Sequence, residues 1–279
     1  MTHLISAADL AHEIEDVVVL DVRWALTTAN TPAGRKDYEA GHVPGAFFVD
    51  LDTELAAPAG EGGRHPLPYP EVVQAVLRRA GITEHSRVVA YDGKDSYAAA
   101  RAWWVLRWLG VSDVRVLDGG WAAWTAAGLP VSTEEPADRH GDVVVRPGQL
   151  PTLDASSAAT LAREGLLLDA RALERYAGET EPIDPVAGHI PGAVNSPTTE
   201  WVTTEGTFRR DLAEHWAHVT DGADLSDRPV GVYCGSGVTA THEMLALAEL
   251  GVDTVLYPGS WSEWIRDPSR PVATGRLPG

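Results

Sequence analysis

The chain has 279 residues, 44% of them apolar, and ten tryptophans, which is more than one average domain requires and enough for two ordinary cores. Its 40 acidic against 22 basic side chains leave a formal charge of −18, which repels phosphate backbones and anionic lipid and argues against nucleic acid or a membrane surface as partner. One cysteine cannot form an internal disulfide, the first residues have neither a basic start nor a long apolar run, and no stretch approaches the ~20 apolar residues that cross a bilayer, so a soluble protein of the reducing cytoplasm is expected.

The first predicted strand is Val17-Val-Val-Leu-Asp21, which ends on an acid two residues before Arg23. There follow a turn segment, Gly41-His-Val-Pro-Gly-Ala46, a helical pattern from Tyr69 to Ala80, a strand Val88-Val-Ala-Tyr-Asp92 with Gly93, a helical pattern from Ala98 to Leu109, and Leu117-Asp-Gly-Gly-Trp121-Ala-Ala-Trp124. Thr133 to Gly141 is polar and aperiodic and reads as a linker. Beyond it the landmarks return in order. Leu166-Leu-Leu-Asp169-Ala-Arg171 repeats the first at an offset of 148, and Gly188-His-Ile-Pro-Gly-Ala193 repeats the second at 147. Val230-Gly-Val-Tyr-Cys234-Gly235 follows at 142 and Tyr257-Pro-Gly-Ser-Trp261-Ser-Glu-Trp264 at 140.

This is a duplicated domain, with copies expected at 1–133 and 151–279 and a linker at 134–150. Strands alternating with helices place both copies in the α/β class, each a parallel sheet covered by helices on both faces. Such sheets bind ligands beyond the carboxyl ends of their strands, where the sequence puts Asp92 in the first copy and Cys234 in the second.

Cys234 stands between the apolar run Pro229 to Tyr233 and the loop Gly235-Ser-Gly237-Val238-Thr239, which leads into the helical pattern Met244 to Leu250. Free cysteines are usually small core hydrophobes. A core cysteine has no need of glycines one and three residues later, whereas a loop turning its amides around an anion does. A thiol in such a cup at a helix N-terminus is a reactive thiolate in the making. The first copy carries Asp92 there, so only one half can use a thiol, and the first loop reads as an interface or scaffold element around a well-solvated carboxylate.

The duplication, the lone cysteine and Cys234-Gly-Ser-Gly-Val-Thr-Ala240 resemble a two-domain rhodanese-type sulfurtransferase over nearly the whole chain, and the loop is similar to that of the 3-mercaptopyruvate enzymes. Thiosulfate-using relatives usually carry basic residues just after the cysteine. The resemblance implies two tandem rhodanese-like domains and a cycle in which Cys234 takes a sulfane sulfur as a persulfide, held by the amides of residues 235–239, and passes it to cyanide or a thiol acceptor, a thioredoxin-like protein among them. It places the donor-binding arginine at Arg175, whose alternative role is a surface ion pair among Glu174, Glu179 and Glu181. Mercaptopyruvate enzymes also join a serine in this loop to a histidine and an aspartate of the first domain, and the matching positions are Ser236, His65 and Asp52, with Asp50 as an alternative to Asp52. Such a relay would supply the proton needed by the anion left when mercaptopyruvate gives up its sulfur.

The segment Tyr176 to Pro185 lacks the second arginine that those enzymes often place after the first, which leaves thiosulfate preference or dual use open. Arg171, His42 and His189 recur or have counterparts in both copies and read as structural. No cofactor is expected, and the scattered histidines show no metal-ligand spacing. A phosphatase would need an arginine where Ala240 stands. A noncatalytic persulfide carrier would keep Cys234 but could dispense with Arg175 and Ser236.

Overall fold

The computed structural model describes residues 2–24, 33–223, 225 and 228–279. Among the described residues the strands are β1 (Leu4–Ile5), β2 (Val18–Asp21), β3 (Phe47–Phe48), β4 (Val88–Tyr91), β5 (Val114–Leu117), β6 (Leu166–Asp169), β7 (Val194–Asn195), β8 (Val230–Tyr233) and β9 (Thr254–Leu256). They form two sheets, ordered β1-β5-β4-β2-β3 and β7-β6-β8-β9, and every pairing in both is parallel. Helices flank each sheet, as the alternation of apolar runs with helical patterns demands.

The two compact units comprise residues 1–57, 67–150 and 204–207, and residues 58–66, 151–203 and 208–279. Three features differ from the division read in the sequence, the shortest being residues 204–207, which group with the first unit. The segment 58–66 belongs with the second unit, where Arg64 N–H donates to Ser262 Oγ at 3.0 Å. Residues 134–150 are strapped along the first unit, their amides donating from Arg139 to Arg79 O and from Gly141 to Arg78 O, both at 2.8 Å. An aperiodic polar segment still has amides to satisfy, and here the carbonyls at a helix C-terminus take them.

The internal repeat extends to atomic detail. β2 runs beside β4 with Val18 opposite Val88 and Asp21 opposite Tyr91, and β6 runs beside β8 with Leu166 opposite Val230 and Asp169 opposite Tyr233. All four residues of β4 and of β8 are buried. Asp21 binds Arg23 at 2.7 Å and Asp169 binds Arg171 at 2.6 Å; each guanidinium also donates to a glycine carbonyl, Gly41 O or Gly188 O, and lies over a tryptophan ring, Trp121 or Trp261. His42 stacks on Tyr38 and His189 on Tyr176, with ring centroids 3.8 and 3.7 Å apart, and each Nδ1 meets that tyrosine's carbonyl oxygen. The two-residue β1, too short to show periodicity, extends the first sheet by one strand; in the second unit a lone bridge from Thr152 to Leu256 takes its place.

Candidate active site

β8 ends at Tyr233, so Cys234 emerges at the carboxyl end of a central strand, and the helix Thr239–Glu249 begins five residues later. The intervening loop is clasped by the turn at 259–262: Cys234 N–H donates to Ser260 Oγ at 3.1 Å, Trp261 N–H to Cys234 O at 3.0 Å and Ser262 N–H to Gly235 O at 2.9 Å. Gly237 has φ +77°, and a Cβ there would lie 2.4 Å from Pro258 O, so glycine is the residue that lets the loop close. Gly237 N–H then donates to Cys234 Sγ at 3.1 Å. The sulfur faces its own turn, and Cys234 is only 1% exposed.

The first unit shows what such a loop holds. Asp92 follows β4 as Cys234 follows β8, and its carboxylate accepts from four amides: Lys94 at 3.1 Å and Ser96 at 3.0 Å on Oδ1, Ala98 at 2.9 Å and Ala99 at 3.3 Å on Oδ2. Burial pushes this carboxyl above its usual range while the amides pull it back, so it is the backbone that solvates it, in keeping with the ring of amides read in the sequence. An aspartate oxygen lies two bonds beyond Cβ, as does the terminal sulfur of a cysteine persulfide. The cradle of Asp92 is thus a direct view of how this fold seats an anion at that distance.

Of the other residues named by the sequence, Ser236 and His65 are both 8% exposed and share a hydrogen bond of 2.8 Å between Oγ and Nδ1. His65 reaches Ser236 because 58–66 belongs to the second unit. Asp52 lies in the first unit, where its Oδ1 accepts from Trp24 Nε1 at 2.9 Å; Asp50 caps the turn beginning at Leu51 by accepting from Asp52 N–H at 3.0 Å. Val238 is 3% exposed and accepts from Thr241 Oγ1 at 2.7 Å, while Thr239 opens the helix.

Arg175 stands over Gly235, and so does a second arginine that the sequence reading missed. A Cβ at Gly235 would lie 2.8 Å from Arg64 Nη2 and 3.4 Å from Arg175 Nη2, so the bare glycine after Cys234 makes room for two guanidiniums. The cue was the neighbour: Arg64 immediately precedes His65. Arg64 Nε is buried and has no acceptor among the described residues. Of the acids expected around Arg175, Glu181 does pair with it, at 2.8 Å, and Asp184 joins at 3.2 Å while also contacting Arg64 Nη1. Among the described residues no cluster of three His, Cys, Asp or Glu side chains is placed to hold a metal ion, and no helix is long and apolar enough to cross a membrane.

Two parallel α/β units, one bearing a thiol and the other a carboxylate in the same strand-end loop, define a tandem fold built around an anion cradle. A sequence model of the rhodanese-like domain matches residues 6–127 and again 154–267, and the chain belongs to the rhodanese family. It is 46% identical to SseB of Mycobacterium tuberculosis, named provisionally as a thiosulfate sulfurtransferase, over 98% of this chain and 97% of that protein. It is 47% identical to a Pseudomonas aeruginosa protein, named provisionally as a 3-mercaptopyruvate sulfurtransferase, over 98% of both. Among solved structures it is similar to SseA of Escherichia coli, described with the 3-mercaptopyruvate sulfotransferases, with a TM-score of 0.80 and 32% identity over 94% of this chain and all of that one.

Proposed function

We propose that this chain is a sulfurtransferase that carries sulfur as a persulfide on Cys234 and that its donor is 3-mercaptopyruvate. The carrying observation is the hydrogen bond between Ser236 and His65 in the loop that holds Cys234. The two relatives, named for different donors at nearly equal identity, leave the choice of donor to this chain's own residues.

The donor presents a carboxylate and a thiol. Arg64 and Arg175 bind the carboxylate beside Gly235. The Cys234 thiolate attacks the donor sulfur, the carbon–sulfur bond breaks, and its electron pair stays on carbon as the enolate of pyruvate. That enolate takes up a proton relayed through Ser236 and His65, and the persulfide gives up the thiol proton. Pyruvate departs, and Cys234 holds a persulfide anion whose terminal sulfur sits in an amide cradle like that around Asp92. A thiolate or cyanide then attacks the terminal sulfur and restores the Cys234 thiolate. Thiosulfate, which yields sulfite, needs no proton and gains nothing from the serine–histidine pair. Asp52 enters only through the family resemblance, and a D52N variant that keeps the ratio of mercaptopyruvate to thiosulfate turnover would remove it. A thioredoxin-like acceptor and a cytoplasmic location belong to the same proposal.

Steady-state kinetics with both donors and with cyanide or a thiol test the donor, and mass spectrometry of donor-treated protein should find one added sulfur on Cys234. S236A should lower mercaptopyruvate turnover by roughly 10²-fold or more, the scale of a lost acid–base group, while sparing thiosulfate. Equal losses for both donors would take Ser236 out of proton transfer. An unmodified thiol after donor treatment would refute the persulfide.

A further inference from the structure

The two guanidiniums over Gly235 are already occupied. Asp184 Oδ2 accepts from Arg175 Nη2 at 3.2 Å, and Asp184 Oδ1 contacts Arg64 Nη1. Glu181 takes Arg175 Nε at 3.1 and 3.0 Å. Two carboxylates against two guanidiniums leave the anion seat with no net charge.

The two acids are committed differently. Glu181 also accepts from the amides of Ile183 and Asp184, both at 3.1 Å, and lies 3.5 Å from Arg171. Burial pushes its carboxyl upward, but Arg175 and those amides outweigh burial and hold it below the usual range. Asp184 has only the two guanidiniums as side-chain partners among the described residues, and its side chain is 4% exposed. Its burial, with help from the Glu181 charge, outweighs both arginines, so its carboxyl is held above the usual range. Glu181 is tied into the turn by two amides as well as by arginine, whereas Asp184 has its carboxylate set against the two guanidiniums alone.

Resting on the sulfurtransferase reading above, we propose that Asp184 is a specificity-determining residue: its carboxylate fills the seat between Arg64 and Arg175, competes with the donor's anionic group, and favours a monocarboxylate donor over dianionic thiosulfate. A fixed negative charge near a bound ligand opposes it in proportion to the ligand's own charge. The logarithm of the penalty for a dianion is therefore twice that for a monoanion.

D184N and D184E should be compared with the wild type at fixed pH and ionic strength. For D184N we expect KM for thiosulfate to fall about tenfold and KM for mercaptopyruvate about threefold, with kcat for both retained, while D184E stays near the wild type. A rise in both KM values would show that Asp184 merely holds the arginines in place, and equal falls would remove charge discrimination; either overturns the proposal. Binding of sulfate and of pyruvate, read by intrinsic tryptophan fluorescence, gives the same comparison without turnover. D184N must tighten sulfate more than pyruvate, and a uniform change sinks the proposal whatever the kinetics. Wild-type protein that turns over neither donor would defeat the sulfurtransferase reading, and the anion titrations would still decide the role of Asp184. If D184N does not fold, Asp184→Ser removes the same charge and carries the same expectations.

Discussion

Gly235 earns its place by what it lacks. An added methyl would press on Arg64 Nη2 at 2.8 Å and Arg175 Nη2 at 3.4 Å, both at the far ends of long side chains that can swing aside, so G235A should fold with its melting temperature nearly unchanged. Swinging aside separates the two guanidiniums from the donor, and KM should rise about tenfold, the scale of one disturbed charge-assisted contact, with kcat less affected. R64A should act in the same direction and more strongly, since it removes a guanidinium outright. Donor kinetics and thermal melts of both variants check this, and a G235A enzyme with wild-type KM would place donor binding elsewhere. The Ser236–His65 pair belongs to this scale as well: both residues could be named from the resemblance, whereas their 2.8 Å contact depends on the course of segment 58–66, which no local pattern announces.

The helix Thr239–Glu249 is buried along eight consecutive residues, Ala240 to Leu247, and so takes His242 and Glu243 into the interior of the second unit. Burial, reinforced by Asp169, Cys234 and Glu200, holds the Glu243 carboxyl well above its ordinary 4.5, and burial pushes His242 down to about 3. The two act oppositely on stability. The folded state binds the Glu243 proton more tightly than the unfolded chain does, so the stability this contributes is complete below the unfolded value and is lost as pH rises from about 4.5. The folded state resists protonating His242, so that contribution is complete above 6.5 and is lost as pH falls toward 3. E243Q carries no proton to lose. It should therefore be more stable than the wild type at pH 8 by roughly 1–3 kcal/mol, the cost of an ill-matched buried polar group, with the difference shrinking toward pH 5. Denaturant titrations across that range test it, and a pH-independent difference would show that Glu243 is not the titrating group. The sequence displayed this helix as an apolar pattern but gave no sign of the buried acid, because a helix closed in on every side has no polar face on which an acid would look out of place.

At the level of the whole chain, the duplication was legible because four landmarks kept their order and nearly their spacing, and strand-end chemistry survived with them: Asp21 and Asp169 each bind an arginine two residues on. What crosses the boundary between the copies was not legible. Segments 58–66 and 204–207 each group with the unit outside their own stretch of sequence, and contact preferences of that kind leave no period to read. Arg64 escapes a sequence reading for this reason: it lies 111 positions before Arg175, in a segment that groups with the second unit. The proposed reading is thus a division of labour between an amide-lined strand-end loop, present in both units, and a reaction centre that the second unit would assemble from Arg64, His65, Arg175 and its own loop. A chain carrying both D92C and C234S separates these parts. Its new thiol would sit at a strand end with amides that now hold Asp92, but it would have Lys94 and Asp95 in the loop where the second unit has Ser236 and Gly237, and Lys94 is engaged with Thr204 O at 2.7 Å. If reaction requires the arginine pair and the serine–histidine pair as well as the cradle, the double variant should show no cyanide-linked turnover above the C234S background with either donor. Turnover above that background would mean that a thiol in an amide-lined strand-end loop is by itself sufficient.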